Sequence, residues 1–152
     1  MDRREVDVGR LVDDAVDAFA VAAADAGVQL ERSVPAGTSA RIDPDRVRQA
    51  LDNLLGNAIR HTPHGGRVEV TGEAVGSQLV LRVSDTGPGF PPGFEAVAFE
   101  PFTRADEGRA ADVGGAGLGL AIVRAIATAH GGSVSLAGRP GGGAVVELRL
   151  PL

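Results

Sequence analysis

Carboxamide and guanidinium side chains between residues 43 and 63 offer the first chemistry in the sequence, DPDRVRQALDNLLGNAIRHTP. A helix advancing about 100° per residue places Gln49, Asn53, Asn57 and Arg60 on one face. The two asparagines and the glycine between them are weak helix formers and together cost on the order of 2 kcal/mol against alanine. A purely structural helix would gain by replacing them. The alternative is a solvated face that happens to be polar.

The same segment carries the signals that start and bury a helix. Asp43 is a good N-cap, Pro44 suits the first helical position, and Asp45 favours the positive helix end. The side opposite the carboxamides is apolar and predicts a packed face, formed by Val47, Leu51, Leu54, Leu55 and Ala58.

A second candidate group follows the predicted strand at residues 79–83, in SDTGPGF. Asp85 stands at the end of the strand, and the two glycines after it let backbone come close. A carboxylate there can accept a hydrogen bond from an exocyclic amine in a flat apolar slot, such as N6 of adenine. The alternative is a tight turn in which Asp85 caps local N–H groups.

A third motif, Gly114 to Gly119 (GGAGLG), opens the last long helix. Glycine at a helix start lets phosphate oxygens approach free N–H groups, with help from the helix dipole. The alternative is flexibility at a loop end. A dinucleotide-binding fold needs a strand immediately before the motif and the spacing G-x-G-x-x-G, which this chain lacks.

Residues 87–115 show no sustained period and, at about 29 residues, exceed an ordinary connection, which predicts a lid or a disordered segment. Within them, Phe99 and Phe102 could anchor the loop in the core, while Arg104 could clamp a phosphate. The histidines, His61, His64 and His130, sit by turns and are expected to be surface or capping residues rather than metal ligands.

Composition narrows the class of protein. The chain has 152 residues, 43% hydrophobic and 23% charged, which suits one globular domain spanning residues 1–152. A net charge of -5 and only 3% aromatic residues argue against nucleic acid as a partner. No Cys is present, and no window approaches the roughly 18 apolar residues of a membrane span, so a soluble chain is expected. All 15 basic residues are Arg, which excludes the phosphate-binding Lys of Walker A loops and protein kinases.

Periodicity predicts three long helices among short strands. The helices are residues 8–26, 43–63 and 117–130, and the strands are residues 6–8, 28–34, 39–42, 67–71, 79–83, 133–137 and 144–150.

Taken in order, NLLGNAIRHTP, DTGPGF, FEPFTR, GGAGLGLAIV and HGG resemble the N, G1, F and G2 boxes of the ATP-binding catalytic domain of bacterial sensor histidine kinases. The resemblance covers nearly the whole chain. It implies an α/β two-layer sandwich of the Bergerat type, shared with gyrase, Hsp90 and MutL. It further implies a mixed five-stranded sheet covered on one face by three helices, with ATP between the asparagine helix and the sheet.

The resemblance also implies roles for individual residues. Asn57 would coordinate Mg²⁺ with the phosphates, Asp85 would bind adenine N6, and Asn53, Arg60 and Arg104 would complete the catalytic set with Asn57. The implied ATP-binding residues are Asn53, Asn57, Arg60, His61, Asp85, Gly87, Gly89, Phe90, Phe102, Arg104, Gly115, Gly117, Leu118 and Gly119. The family often has Lys-Tyr where this chain has Arg60-His61.

Hydrolysing ATPases of the wider superfamily place Glu where this chain has Asn53, and Asn cannot take a proton from water. Phosphoryl transfer to a partner is therefore favoured over hydrolysis. The resemblance implies a His acceptor on an upstream dimerisation domain of the same protein, and a response regulator as the next partner. We accordingly expect a cytoplasmic fragment, without membrane contact of its own, of a membrane-anchored kinase. The alternatives are an anti-sigma-type serine kinase and a nucleotide-binding module that has lost transfer.

Overall fold

The computed structural model describes residues 1–90, 94, 98–99 and 118–152. These residues form four helices and seven strands. In chain order they are β1 (Arg4–Asp7), α1 (Val8–Ala18), α2 (Ala20–Ala26), β2 (Gln29–Ser33), β3 (Ser39–Ile42), α3 (Pro44–His61), β4 (Arg67–Val75), β5 (Gln78–Asp85), α4 (Leu118–Ala129), β6 (Ser133–Gly138) and β7 (Ala144–Pro151).

Five strands form the main sheet, in the order β2-β4-β5-β7-β6. The β2–β4 pair is parallel and the other three pairs are antiparallel, so the predicted mixed five-stranded sheet is confirmed. A separate two-stranded ribbon pairs β1 with β3, with Arg4 opposite Ile42. This ribbon joins the N-terminal segment to the strand that leads into α3.

The prediction of one helix over residues 8–26 was wrong. The helix breaks at Phe19, whose φ of -100° and ψ of 5° leave the helical region. The break changes the phase of the buried stripe, so that Ala23 is buried in α2 while Ala22 is exposed. The described residues therefore contain four helices, because the first predicted helix is divided in two.

One core lies between the helices and one face of the sheet. All five apolar positions predicted for α3 are buried, and Ala50 and Ile59 join them. From the sheet, Val70, Leu81 and Leu148 are almost completely buried in the same cluster. Burying a side chain of this size stabilises the fold by about 1.5–3 kcal/mol. The core thus fixes the orientation of α3 and leaves its polar face free for chemistry.

Charged side chains alternate with these core residues along the central strands. Arg82 Nε donates to Glu147 at 2.8 Å, and Arg149 Nε donates to the same carboxylate at 2.7 Å. Because successive side chains of a strand point to opposite faces, this network lies on the face away from the core. None of the helices in the described residues is long and apolar enough to cross a bilayer.

Candidate functional site

The polar face of α3 contains a buried hydrogen-bond donor without a partner in the described part of the chain. The side-chain nitrogen of Asn53, Nδ2, is buried and has no partner among the described residues. One turn later, Asn57 Oδ1 accepts a hydrogen bond from the guanidinium of Arg60. A buried polar group without a partner costs about 1–3 kcal/mol. A ligand that accepts a hydrogen bond from Asn53 would recover this cost.

The first turn of α4 lies against these two asparagines. A Cβ built on Gly119 would be 3.5 Å from Asn57 Nδ2 and 4.0 Å from Asn53 Cβ. A helix start presents free N–H groups and a positive dipole end, both of which favour an anion. The last glycine of the third motif and the asparagine helix, far apart in sequence, therefore meet at one place that suits phosphate.

Asp85 ends β5 and is half-buried. Its Oδ1 accepts the N–H of Gly87 at 2.9 Å, so the capping alternative describes part of its role. Burial raises the pKa of Asp85, whereas the N–H groups of Gly87 and Ala144 and the positive charges of His61 and Arg139 oppose the rise. An ionised carboxylate has about four acceptor positions, so these two N–H groups leave capacity for a ligand amine.

Two glycines allow the loop after Asp85 to pack closely between the end of α3 and the β6–β7 turn. A Cβ on Gly87 would lie 2.6 Å from the carbonyl oxygen of His61, at the end of α3. Gly89 has a φ of 80°, and a Cβ there would lie 3.0 Å from the carbonyl oxygen of Gly143. Larger residues at these positions would push the loop away from both carbonyl groups. The role of these glycines in a base-binding wall stays a prediction.

Sequence reasoning missed the contribution of the β6–β7 turn. Gly143 packs so closely on Asp85 that a Cβ would lie 1.9 Å from the Asp85 carbonyl oxygen. The N–H of Arg139 donates to the Gly143 carbonyl at 3.0 Å, which brings Arg139 to the same loop. The run of glycines at 141–143 is the local signal for this turn in the sequence.

The remaining predicted residues near α3 are placed as follows. His61 is exposed, with Nδ1 2.9 Å from the Asn57 carbonyl oxygen. Phe90 stacks on the ring of Phe94 with centroids 5.4 Å apart, and it packs against the core. Arg60 is exposed beside Asn57. These three side chains therefore stand around the end of α3 and the start of the loop after β5.

Several predicted residues lie outside the described residues, and their roles stay predictions. They are Phe102, Arg104, Gly115 and Gly117, together with most of the predicted lid; Leu118 begins α4, but its side chain is not described. Within the described ranges, no cluster of three His, Asp or Glu side chains could hold a metal ion.

Known proteins resemble this chain in sequence. The model of the histidine kinase-, DNA gyrase B-, and HSP90-like ATPase family matches residues 42–152. Sensor histidine kinase component HK1 of Mycobacterium tuberculosis is 40% identical over 141 residues, covering 93% of this chain and 79% of HK1.

Solved structures show the same fold. The catalytic domain of histidine kinase ThkA, in a nucleotide-free form, superposes with a TM-score of 0.86 at 25% identity, covering 99% of this chain and 97% of that one. Full-length ShkA, crystallised in complex with AMPPNP, superposes with a TM-score of 0.86 at 33% identity, covering 99% of this chain and 31% of ShkA.

The chain therefore belongs to the histidine kinase-, DNA gyrase B-, and HSP90-like ATPase family and, within it, to the sensor histidine kinases. The sensor-like histidine kinase SenX3 of Mycobacterium tuberculosis is 35% identical over 97% of this chain, which spans only 36% of the length of SenX3. The named relatives are histidine kinases, which supports a histidine kinase catalytic domain over the anti-sigma-type serine kinase alternative.

Proposed function

We propose that this chain binds Mg-ATP between α3 and β5 and transfers the γ-phosphoryl group to a His on a separate dimerisation domain. The observation that carries the proposal is the meeting of Gly119 with Asn53 and Asn57 at one end of a site whose other end holds Asp85. The relative ShkA was crystallised at full length in complex with AMPPNP, an ATP analogue, which supports the proposal.

At the base end, Asp85 would accept a hydrogen bond from adenine N6. Burial of the carboxylate strengthens such a bond, because the surrounding dielectric is lower than that of water. Gly87 and Gly89 would let the flat base approach the backbone, and the stacked Phe90 would stiffen the loop beside it.

At the phosphate end, Asn53 Nδ2 would donate to a phosphate oxygen, and the N–H groups at the start of α4 would do the same. Arg60 would turn from Asn57 to the phosphates, which frees Asn57 Oδ1 as an oxygen ligand for Mg²⁺. Bound Mg²⁺ would neutralise phosphate charge and take its remaining ligands from phosphate and water oxygens, as this hard cation prefers. Arg104, Gly115 and Gly117 would complete this end.

The acceptor of the phosphoryl group lies outside this chain in the proposal. His130 is buried and both of its ring nitrogens are engaged, while His61 Nδ1 is held at the Asn57 carbonyl. Asn53 cannot act as a base for water, so transfer is favoured over hydrolysis. A response regulator would take the phosphoryl group from the dimerisation domain, and both steps would occur in the cytoplasm.

Calorimetric titration with ATP, with and without Mg²⁺, tests the site. The wild-type chain should bind ATP more tightly when Mg²⁺ is present, and Asn57→Ala should lose most of this difference. Gln49→Ala is the matched control, because it removes a carboxamide two turns earlier on the same helix, where the side chain is exposed. Equal Mg²⁺ dependence in wild type and Asn57→Ala would remove Asn57 from the site.

Radiolabelled ATP tests the transfer. A supplied histidine kinase dimerisation domain should acquire acid-labile label when mixed with this chain, while the chain itself should remain unlabelled. Label on His61 or His64 of this chain, or release of phosphate without label on the supplied domain, would contradict the proposed acceptor.

A further inference from the structure

The HGG motif at residues 130–132 has no role in the site described above, yet its histidine is buried. The backbone N–H of Asp43 donates to His130 Nε2 at 3.1 Å, and His130 Nδ1 lies 2.9 Å from the carbonyl oxygen of Ile126. Because Nε2 accepts, the ring proton must be on Nδ1, which donates to Ile126. His130 thus connects the end of α4 to the residue that caps the start of α3.

The N-terminal segment reaches the same place from the other side. The N–H of Asp2 donates to the carboxylate of Asp43 at 3.0 Å, and the guanidinium of Arg3 donates to the carbonyl of Ala129 at 3.0 Å. We call this group, Asp2, Arg3, Asp43, Ala129 and His130, the polar junction. It ties together the N-terminal segment, the first turn of α3 and the last residues of α4.

The two helices run antiparallel and pack on each other through the core, with polar contacts near both ends of α4. At one end they are joined by the polar junction, and at the other the Gly119 turn of α4 lies against Asn57 of α3. Along α4 these places are eleven residues apart, or about 16 Å. If α4 tilted by about 5° around His130, its first turn would move by about 1 Å or more. Binding groups must be held within about 0.5 Å of their working geometry.

We propose that His130 is a positioning residue for the nucleotide site. By holding α4 on the capping residue of α3, it keeps the start of α4 aligned with Asn53 and Asn57, although it touches no part of that site. Arg3 supports the same alignment through Ala129. This inference deepens the proposed function and rests on it.

The test compares ATP affinity in two His130 variants. His130→Met fills a similar space but removes the strong acceptor for the Asp43 N–H, and its affinity for Mg-ATP should fall about three- to ten-fold. His130→Gln offers Oε1 in place of Nε2 and should remain within about two-fold of wild type. Calorimetry is done at a temperature at which thermal melts show each variant fully folded.

The control separates positioning from general loss of stability. Val28 is buried between α2 and β2, away from the polar junction, and Val28→Ala should lower the melting temperature with little change in affinity. If Val28→Ala weakens binding as much as His130→Met, or if His130→Met binds as wild type does, His130 is not a positioning residue. If the wild-type chain itself fails to bind Mg-ATP, the proposed function fails first.

Arg3→Ala keeps the inference testable if His130→Met does not fold. Arg3 is exposed, so its removal leaves the core intact. It should weaken Mg-ATP binding about three-fold because the end of α4 loses its hydrogen bond to the N-terminal segment. Unchanged affinity in Arg3→Ala would then overturn the proposal.

Discussion

The two ends of the site helix α3 differ in how their polar groups are satisfied. At its start, the Asp43 carboxylate accepts N–H groups from Asp2, Asp45 and Arg46, at 3.0–3.2 Å. Towards its other end, Asn53 Nδ2 is buried without a partner in the described residues. The carboxylate at the start is satisfied by the protein itself, whereas the Asn53 amide is the group for which a ligand is proposed.

The two aspartates beside these ends show the same difference in their pKa values. Hydrogen bonds from backbone N–H groups, led by Asp2, lower the pKa of Asp43. Burial raises the pKa of Asp85, despite two backbone N–H groups and nearby positive charge. A lowered pKa indicates that the fold stabilises the charge on Asp43. A raised pKa indicates that the charge on Asp85 has not been fully compensated.

The largest expected effect comes from removing the charge at the uncompensated end. Asp85→Asn should weaken Mg-ATP binding by about 10- to 100-fold, because a hydrogen bond to a charged group contributes about 1.5–3 kcal/mol. Its melting temperature should stay the same or rise, because a poorly solvated charge has been removed. Calorimetry and thermal melts on one preparation check both results. Unchanged affinity would show that Asp85 does not contact the base.

Removing the carboxylate at the other end should have the opposite pattern. Asp43→Ala removes the N-cap of α3 and should lower the free energy of unfolding by about 0.5–2 kcal/mol, measured by urea unfolding. Its ATP affinity should fall far less than that of Asp85→Asn, because the Asp43 N–H to His130 remains. If Asp43→Ala loses affinity as strongly as Asp85→Asn while it is folded, the distinction between the two ends is wrong.

The smallest expected effects are on the pH dependence of stability. They distinguish the two aspartates because the two pKa shifts have opposite signs. The lowered pKa of Asp43 gives stability that is present above the unfolded value of about 3.9 and is lost as the pH falls through the folded pKa. The raised pKa of Asp85 gives stability that is present below about 3.9 and is lost as the pH rises through the folded pKa.

The measurement is urea unfolding of wild type and both variants from pH 7 down to pH 3. The stability advantage of wild type over Asp43→Ala should shrink on acidification below about pH 4. Any advantage of Asp85→Asn over wild type should also shrink, but at higher pH, because Asp85 takes up its proton earlier. Parallel curves for all three proteins would contradict both pKa shifts.

The sequence by itself determined the features that depend on neighbours along the chain. The cap at Asp43 and the 3.6-residue period predicted the start and the buried face of α3, and the motif order indicated the family. Strand limits were predicted less well: β4 continues to Val75 because pairing with β5 extends past its last core-facing residues. The break at Phe19 was not predicted, because residues 8–26 keep helical spacing throughout.

Only the tertiary structure decided which polar groups are satisfied. Asp43 and His130 are 87 residues apart and share a hydrogen bond, and Gly143 meets Asp85 across a strand pair. The unpartnered nitrogen of Asn53 likewise depends on what packs around it, not on its neighbours in sequence. The periodicity of a sequence does not predict such contacts, because it reflects which residues are buried along one helix or strand. A hydrogen bond between two elements depends on where packing of the core places both of those elements.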